Sequence, residues 1–295
     1  MRHLLLVVSS LLLCLNSLAQ VRTITGKVID NGNKTVPFCL VTSKDNKVGT
    51  ICDENGKFSL TINPDSVKTL VASCLGYEKK EIMAAKLPNE AAVITLKKEP
   101  MGLNEVRVQG KKGPIELRVL GKKKMRHSGD CYQRFGDEDA VFLPSYATTR
   151  GGTLIDAHIF ITDEGEPDAK FRVHVYEKDS VTNLPSTELT GANIIAHANQ
   201  GNEWVTVDLS SKIIPVNGGV FISIEWISGF GNVQTAFASA KHSEVSDHNG
   251  QVLGLTFNNY GIKYMYHRSL LDQKWRFHYV PYLCPMIYCT YKYMK

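Results

Sequence analysis

Side chains able to do chemistry are spread through the 295 residues without forming a signature. There are nine histidines, yet no His-Glu-x-x-His pair or other zinc-peptidase spacing occurs, and no Gly-x-Ser-x-Gly nucleophile turn. Ser246, Asp247 and His248 are adjacent, but a triad needs groups that converge in space, which adjacency does not supply. Asp163, Glu164, Glu166 and Asp168 surround Gly165 and Pro167, the composition of a solvated acidic turn. Asp53-Glu54-Asn55-Gly56 opens like a calcium loop, but Lys57 takes the next alternate ligand position and no Glu closes the site downstream. It is therefore read as a turn. No catalytic residue, metal ligand or cofactor site is assigned, and the protein is expected not to be an enzyme.

Two patterns point instead to binding. Near the end of the chain Trp275, Phe277 and Tyr279 alternate with Arg276 and His278, which on a strand puts three rings on one face and two cations on the other. Such a row is a candidate stacking platform for sugar rings; the plainer use of the same rings is as core. Lys122-Lys123-Lys124-Met125-Arg126 is a cationic run suited to anionic lipid or lipopolysaccharide phosphates. Its plainer use is to solvate a linker. Net charge is +5, and ten Lys/Arg against three Glu between Lys97 and Arg126 concentrate +7 in that stretch. With the basicity confined to one segment, nucleic-acid binding loses its support as the purpose of either folded part.

The chain opens with Arg2 and an apolar run from Leu4 to Leu15, too short for a membrane helix, then Asn16-Ser17-Leu18-Ala19. Residues 1–19 read as a signal peptide, so the protein is expected to be exported to the periplasm or outer surface. Lipidation at Cys14 is disfavoured by the bulky Leu13 before it. Six cysteines remain, three in each half, so neither half can pair them all. If residues 284–289 form one strand, Cys284 and Cys289 stand ~17 Å apart, beyond bridging reach, and buried thiols are expected instead.

What must position these residues is a set of short, β-branched segments bounded by turn residues. In the first half these are Thr23 to Ile29, Phe38 to Thr42, Thr50 to Cys52, Lys57 to Ile62, Lys68 to Cys74 and Val93 to Leu96. The turn at Asn55-Gly56 closes a hairpin. In the second half nine segments follow from Leu154 to Tyr291, among them Phe171 to Glu177, Gly219 to Ile227, Ala236 to Ala240 and Val252 to Asn258. That many short strands suggest a jelly-roll-like sandwich. The stretch between, with Pro100, Gly102, Gly110, Gly113, Pro114 and Gly121 among charges, reads as a connector.

In the first half "TGKVID", "TVPFCLV", "VGTICDENGKFSL", "LVASCLGYEKKEI", "VITLKK" and "LNEVRV" follow one another. In this order they resemble the carboxypeptidase regulatory-like domain, which also occurs as the N-terminal extension of TonB-dependent receptors. The resemblance implies a seven-stranded Greek-key sandwich related to transthyretin, without peptidase chemistry, and a closing strand at Leu103 to Val108. Only 187 residues follow Val108, too few for a receptor barrel. The chain is thus expected to be all-β: a signal peptide (1–19), a transthyretin-like Greek-key sandwich (20–97), a basic linker (98–140) and a jelly-roll-like sandwich (141–295). The expected function is binding or assembly in the cell envelope, with a glycan or another envelope protein as partner. A hydrolase site in the loops of the second sandwich and a purely structural role are the alternatives.

Overall fold

A computed structural model describes residues 21–99, 114–132, 136–145, 152–227, 250–257, 265–269, 273–278 and 282–294. The segment expected as a signal peptide with Cys14, the strands expected at 103–108 and 236–240, Ser246 to His248 and Tyr279 lie outside them. The chain divides into two compact units, Met1–Ser73 with Lys79–Leu96, and Cys74–Glu78 with Lys97–Lys295. Among the described residues no helix is long and apolar enough to cross a membrane.

Among the described residues the first unit holds seven strands: β1 (Arg22–Asp30), β2 (Leu40–Ser43), β3 (Gly49–Ile51), β4 (Lys57–Ile62), β5 (Thr69–Ser73), β6 (Lys80–Met83) and β7 (Ala92–Leu96). They form sheets in the orders β4-β1-β7 and β3-β2-β5-β6. Period-two burial builds the layer between them: Ile24 and Val28 on β1, Leu60 and Ile62 on β4, Leu70 and Ala72 on β5, and Ile94 and Leu96 on β7 are buried. β1 runs antiparallel to β4 but parallel to β7. Two glycines carry strict geometry. Gly56 sits at φ +71°, the left-handed turn the hairpin needs. A Cβ on Gly26 would lie 2.1 Å from the Ala92 carbonyl oxygen, so only glycine lets β7 pair with β1 there. The Asp53 carboxylate accepts from the amides of Asn55 and Lys57, both at 2.8 Å, which is the expected turn.

The second unit contains β8 (Ile115–Gly121), β9 (Gly129–Cys131), β10 (Glu138–Pro144), β11 (Gly152–Gly165), β12 (Phe171–Lys178), β13 (Pro185–Glu188), β14 (Ile194–Ala196) and β15 (Glu203–Asp208). It continues through β16 (Pro215–Val216), β17 (Gly219–Trp226), β18 (Gln251–Phe257), β19 (Met265–Arg268), β20 (Arg276–Phe277), β21 (Leu283–Pro285) and β22 (Ile287–Met294). One sheet of seven strands runs β13-β12-β17-β10-β19-β20, with β14 beside β12. The other, of eight, runs β21-β18-β11-β22-β8, with β9 on β18 and β15 and β16 on β11. Between them lie Phe171, Val173, Ile222, Ile224 and Trp226 from the first sheet and Leu154, Ile159, Leu253 and Cys289 from the second. The pattern is a two-layer, all-β sandwich closed by its own side chains.

The connector expected over 98–140 is corrected here. β8, β9 and β10 all fall within or begin in that range, and β8 pairs with β22 over seven successive residues. The charge and glycine content hid the strand because β8 is an edge whose apolar side chains face outward. Ile115, Leu117 and Val119 are exposed, and only Leu120 is buried. Cys284 and Cys289 fall on two strands, β21 and β22, and not on one. The six cysteines of the described residues stand as thiols, with burial pushing the pKa of the Cys284 thiol up to about 11.

Candidate functional site

The outer face of the eight-stranded sheet carries a row of aromatic rings that the sequence patterns did not single out. Cross-strand pairing places Phe160 opposite Trp204 and His158 opposite both Thr206 and Tyr288. The rings meet in succession: Phe160 and Trp204 edge-on at 5.4 Å, Trp204 and Tyr288 edge-on at 5.0 Å, and Tyr288 stacked on His158 at 4.3 Å. Phe160, Trp204 and His158 remain partly exposed. The chain holds them stiffly. His158 meets Asp156 through Nε2 at 3.0 Å and Thr206 through Nδ1 at 3.0 Å, and Asp156 also accepts the Thr290 amide at 3.0 Å. Gly254 makes room for Phe160, since a Cβ there would lie 2.5 Å from the ring. His127 and Asp130, joined at 2.9 Å, border the row beside Phe160. Flat apolar faces edged by hydroxyl, imidazole and carboxylate groups are what a pyranose ring needs for stacking and hydroxyl recognition.

The expected platform at the end of the chain sits elsewhere, on the outer face of the seven-stranded sheet. Phe277 is exposed and touches Tyr266 at 5.9 Å. Trp275 is half-buried, edge-on to Tyr176 at 5.7 Å and covered on one side by the Arg268 guanidinium at 4.6 Å. Beneath them is a buried charged network. Arg268 donates to Glu138 at 2.6 Å, and Tyr176 and Ser223 donate to the other Glu138 oxygen at 2.9 and 2.6 Å. Arg172 and His174 meet Glu225 at 2.5 and 3.0 Å. Burial alone would push the pKa of His174 down, but the carboxylates of Glu138, Glu188 and Glu225 outweigh it and hold the imidazole at about 9. Burial likewise opposes the Glu225 charge, and Arg172 and His174 overcome it to hold that carboxyl at about 2.

On the inner side of the same sheet, Asp139 stands directly opposite His267 in the register of β10 and β19. Its wholly buried carboxylate Oδ1 lies 3.1 Å from His267 Nδ1 and 3.6 Å from His278 Nδ1. The three side chains each offer a donor atom within 4.8 Å of the others. Asp137 lies 3.7 Å from the far nitrogen of His267, and the Cys131 thiol lies 3.8 Å from the second Asp139 oxygen. No sequence spacing announces this cluster, because 128 residues separate Asp139 from His267.

Lys122, Lys123, Lys124 and Arg126 occupy the exposed loop between β8 and β9, as part of the second sandwich rather than of a connector. Lys122 also borders a cavity of about 570 Å³ lined by Leu120, Leu143, Phe257, Cys284 and Ile287.

Fold and site together define an all-β, two-sandwich protein whose second unit presents its rings on a sheet face. Residues 24–108 match the CarboxypepD_reg-like domain family, so the first sandwich is a domain of that type. A TonB-dependent receptor of Formosa agariphila is 33% identical over 95 residues, which is 32% of this chain and 9% of the receptor. The chain thus spans under a tenth of that relative's length. Among solved structures, the cysteine protease and lectin-like domains of Cwp84, a surface layer associated protein of Clostridium difficile, align at a TM-score of 0.35. That alignment has 9% identity and covers 94% of this chain and 59% of the other, too loose a likeness to define a shared fold.

Proposed function

We propose that the protein is a non-catalytic, exported binding module of the cell envelope whose second sandwich takes a glycan on the outer face of its eight-stranded sheet. The observation that carries this reading is the contiguous row in which Phe160, Trp204 and His158 stay partly exposed around the buried Tyr288, held rigid by Asp156, Thr206 and the gap above Gly254. Rings fixed before the ligand arrives lose little entropy on binding, which favours recognition of a flat sugar face. The envelope setting is supported by the CarboxypepD_reg-like domain and by the receptor segment similar to it. The first sandwich is then a rigid adaptor.

The test is binding of the purified protein to a polysaccharide panel, followed by Trp204→Ala and Trp275→Ala on whichever glycan is retained. Loss of one central Trp at a recognition site costs ~2 kcal/mol or more, about thirtyfold in Kd. Trp204→Ala is expected to show that loss and Trp275→Ala to leave binding within a few fold. If Trp275→Ala abolishes binding and Trp204→Ala does not, the platform is the one at Phe277 and the proposed face is wrong. If neither variant weakens binding, sheet-face recognition is refuted.

A further inference from the structure

We propose that Asp139, His267 and His278 bind one divalent transition-metal ion of the zinc class, clamped across the edge of the seven-stranded sheet. Ligands of a tetrahedral ion held by bonds of ~2.0–2.1 Å stand ~3.3–3.4 Å apart. The Asp139 carboxylate oxygen is 3.1 Å from one imidazole nitrogen and 3.6 Å from the other, one on each side of that spacing. A hydrogen bond accounts for the shorter contact. It does not account for the longer one, which exceeds hydrogen-bonding range and leaves the buried Nδ1 of His278 without a partner. At 3.6 Å the nitrogen and the carboxylate stand at ion-pair distance without a hydrogen bond, a gap that a cation between them would close.

The donor set selects the class of ion. Two imidazoles and one carboxylate suit zinc and its neighbours, whereas calcium and magnesium call for shells of oxygen. The surroundings fit as well. Asp137 faces the Nε2 of His267 at 3.7 Å, so a carboxylate stands behind the imidazole whose Nδ1 faces the ion. A carboxylate on that side orients a metal-bound histidine and strengthens its donor nitrogen once the two close to hydrogen-bonding distance. The Asp139 side chain is 0% exposed, while His267 and His278 keep 26% and 34% exposure. The anchor is therefore fixed in the sandwich, and the histidine side opens to solvent for entry of the ion and for a water as fourth ligand. The clamp would join β10, β19 and the end of β20, a strand held by only two register pairs.

Full-length protein stripped with a chelator should take up one zinc per chain by calorimetry. Cobalt at the same site should show the intense visible bands of a tetrahedral complex. His278→Ala is the informative variant, because its ring sits at the rim and its backbone amide still donates to the Met265 carbonyl at 2.9 Å. It should weaken zinc at least a hundredfold, beyond what loss of an outer partner costs, and bleach the cobalt bands. His197→Ala, a histidine away from the cluster, should bind as the parent does. Folded parent protein that takes up no stoichiometric zinc would overturn the site. So would a His278→Ala protein that binds zinc as tightly as the parent, since other side chains would then hold the ion.

Discussion

Raising the pH from 6.5 to 9 should destabilise the second sandwich, because the charged network on the outer face of the seven-stranded sheet depends on a protonated His174. The imidazole is almost wholly buried, and groups from every strand around it set its charge: Glu138 on β10, Arg172 and Tyr176 on β12, Glu188 on β13, Glu225 on β17 and Arg268 on β19. Desolvation works against the imidazolium and the three carboxylates work for it, with the result that its pKa is raised from 6.5 to about 9. A group whose folded pKa is raised contributes its full stability below the unfolded value and loses it as pH climbs through the folded one. At ~1.4 kcal/mol per unit, that displacement corresponds to roughly 3 kcal/mol lost between pH 6.5 and 9. Glu225, held at about 2, describes the same interaction from its other end. Its depressed pKa makes stability fall as pH drops from about 4.5 toward 2, so the network is strongest between those two limbs. The measurement is urea unfolding followed by tryptophan fluorescence. All three tryptophans, Trp204, Trp226 and Trp275, belong to the second unit, so the signal reports that sandwich alone. A chelator in the buffer removes any metal contribution. His174→Gln should be less stable at pH 6.5 and nearly flat from 6.5 to 9. A parent protein whose stability does not change over that range, or a variant that keeps the parent's slope, would refute the assignment.

Two further substitutions probe single contacts. Gly26→Ala would place a methyl 2.1 Å from the Ala92 carbonyl, and overpacking that only backbone movement can relieve costs ~3 kcal/mol. Hydrogen exchange should accelerate along β1 and β7 while the tryptophan unfolding curve stays put; unchanged protection there would count against so close an approach of the two strands. Gln251 is 1% exposed and neither atom of its side-chain amide has a hydrogen-bond partner. Because its backbone carbonyl, not its side chain, accepts the Trp226 indole at 2.7 Å, Gln251→Leu should raise stability in urea by about 1 kcal/mol. A loss of stability would show that the amide is satisfied by water.

Where one face of a strand is buried and the other solvated, the order of side chains announces the element. β4 reads Lys57-Phe58-Ser59-Leu60-Thr61-Ile62 and buries every second residue, and Gly56 before it takes the left-handed turn its type implies. β17 is buried on both faces, and its continuous apolar run is equally legible. Patterning fails where that contrast is inverted or absent. β8 turns Ile115, Leu117 and Val119 outward, and β6 is surface-lying throughout, so neither carries a hydrophobic stripe toward a core.

The sites follow a harsher version of the same rule. Trp275 and Phe277 were visible because they are neighbours in sequence, yet sequence proximity only brought them to one patch, where Arg268 already covers part of Trp275. The ring row is assembled across β11, β15 and β22, and the Asp139 cluster across β10, β19 and the end of β20. In an antiparallel sandwich the neighbours of a side chain are set by register with strands tens to more than a hundred residues away. A site built on a sheet face therefore leaves no local spacing to read. The one local trace of the ring row is Gly254, a glycine inside the apolar run of β18. Glycine within a strand weakens it unless something lies against the backbone there, and here the Phe160 ring does.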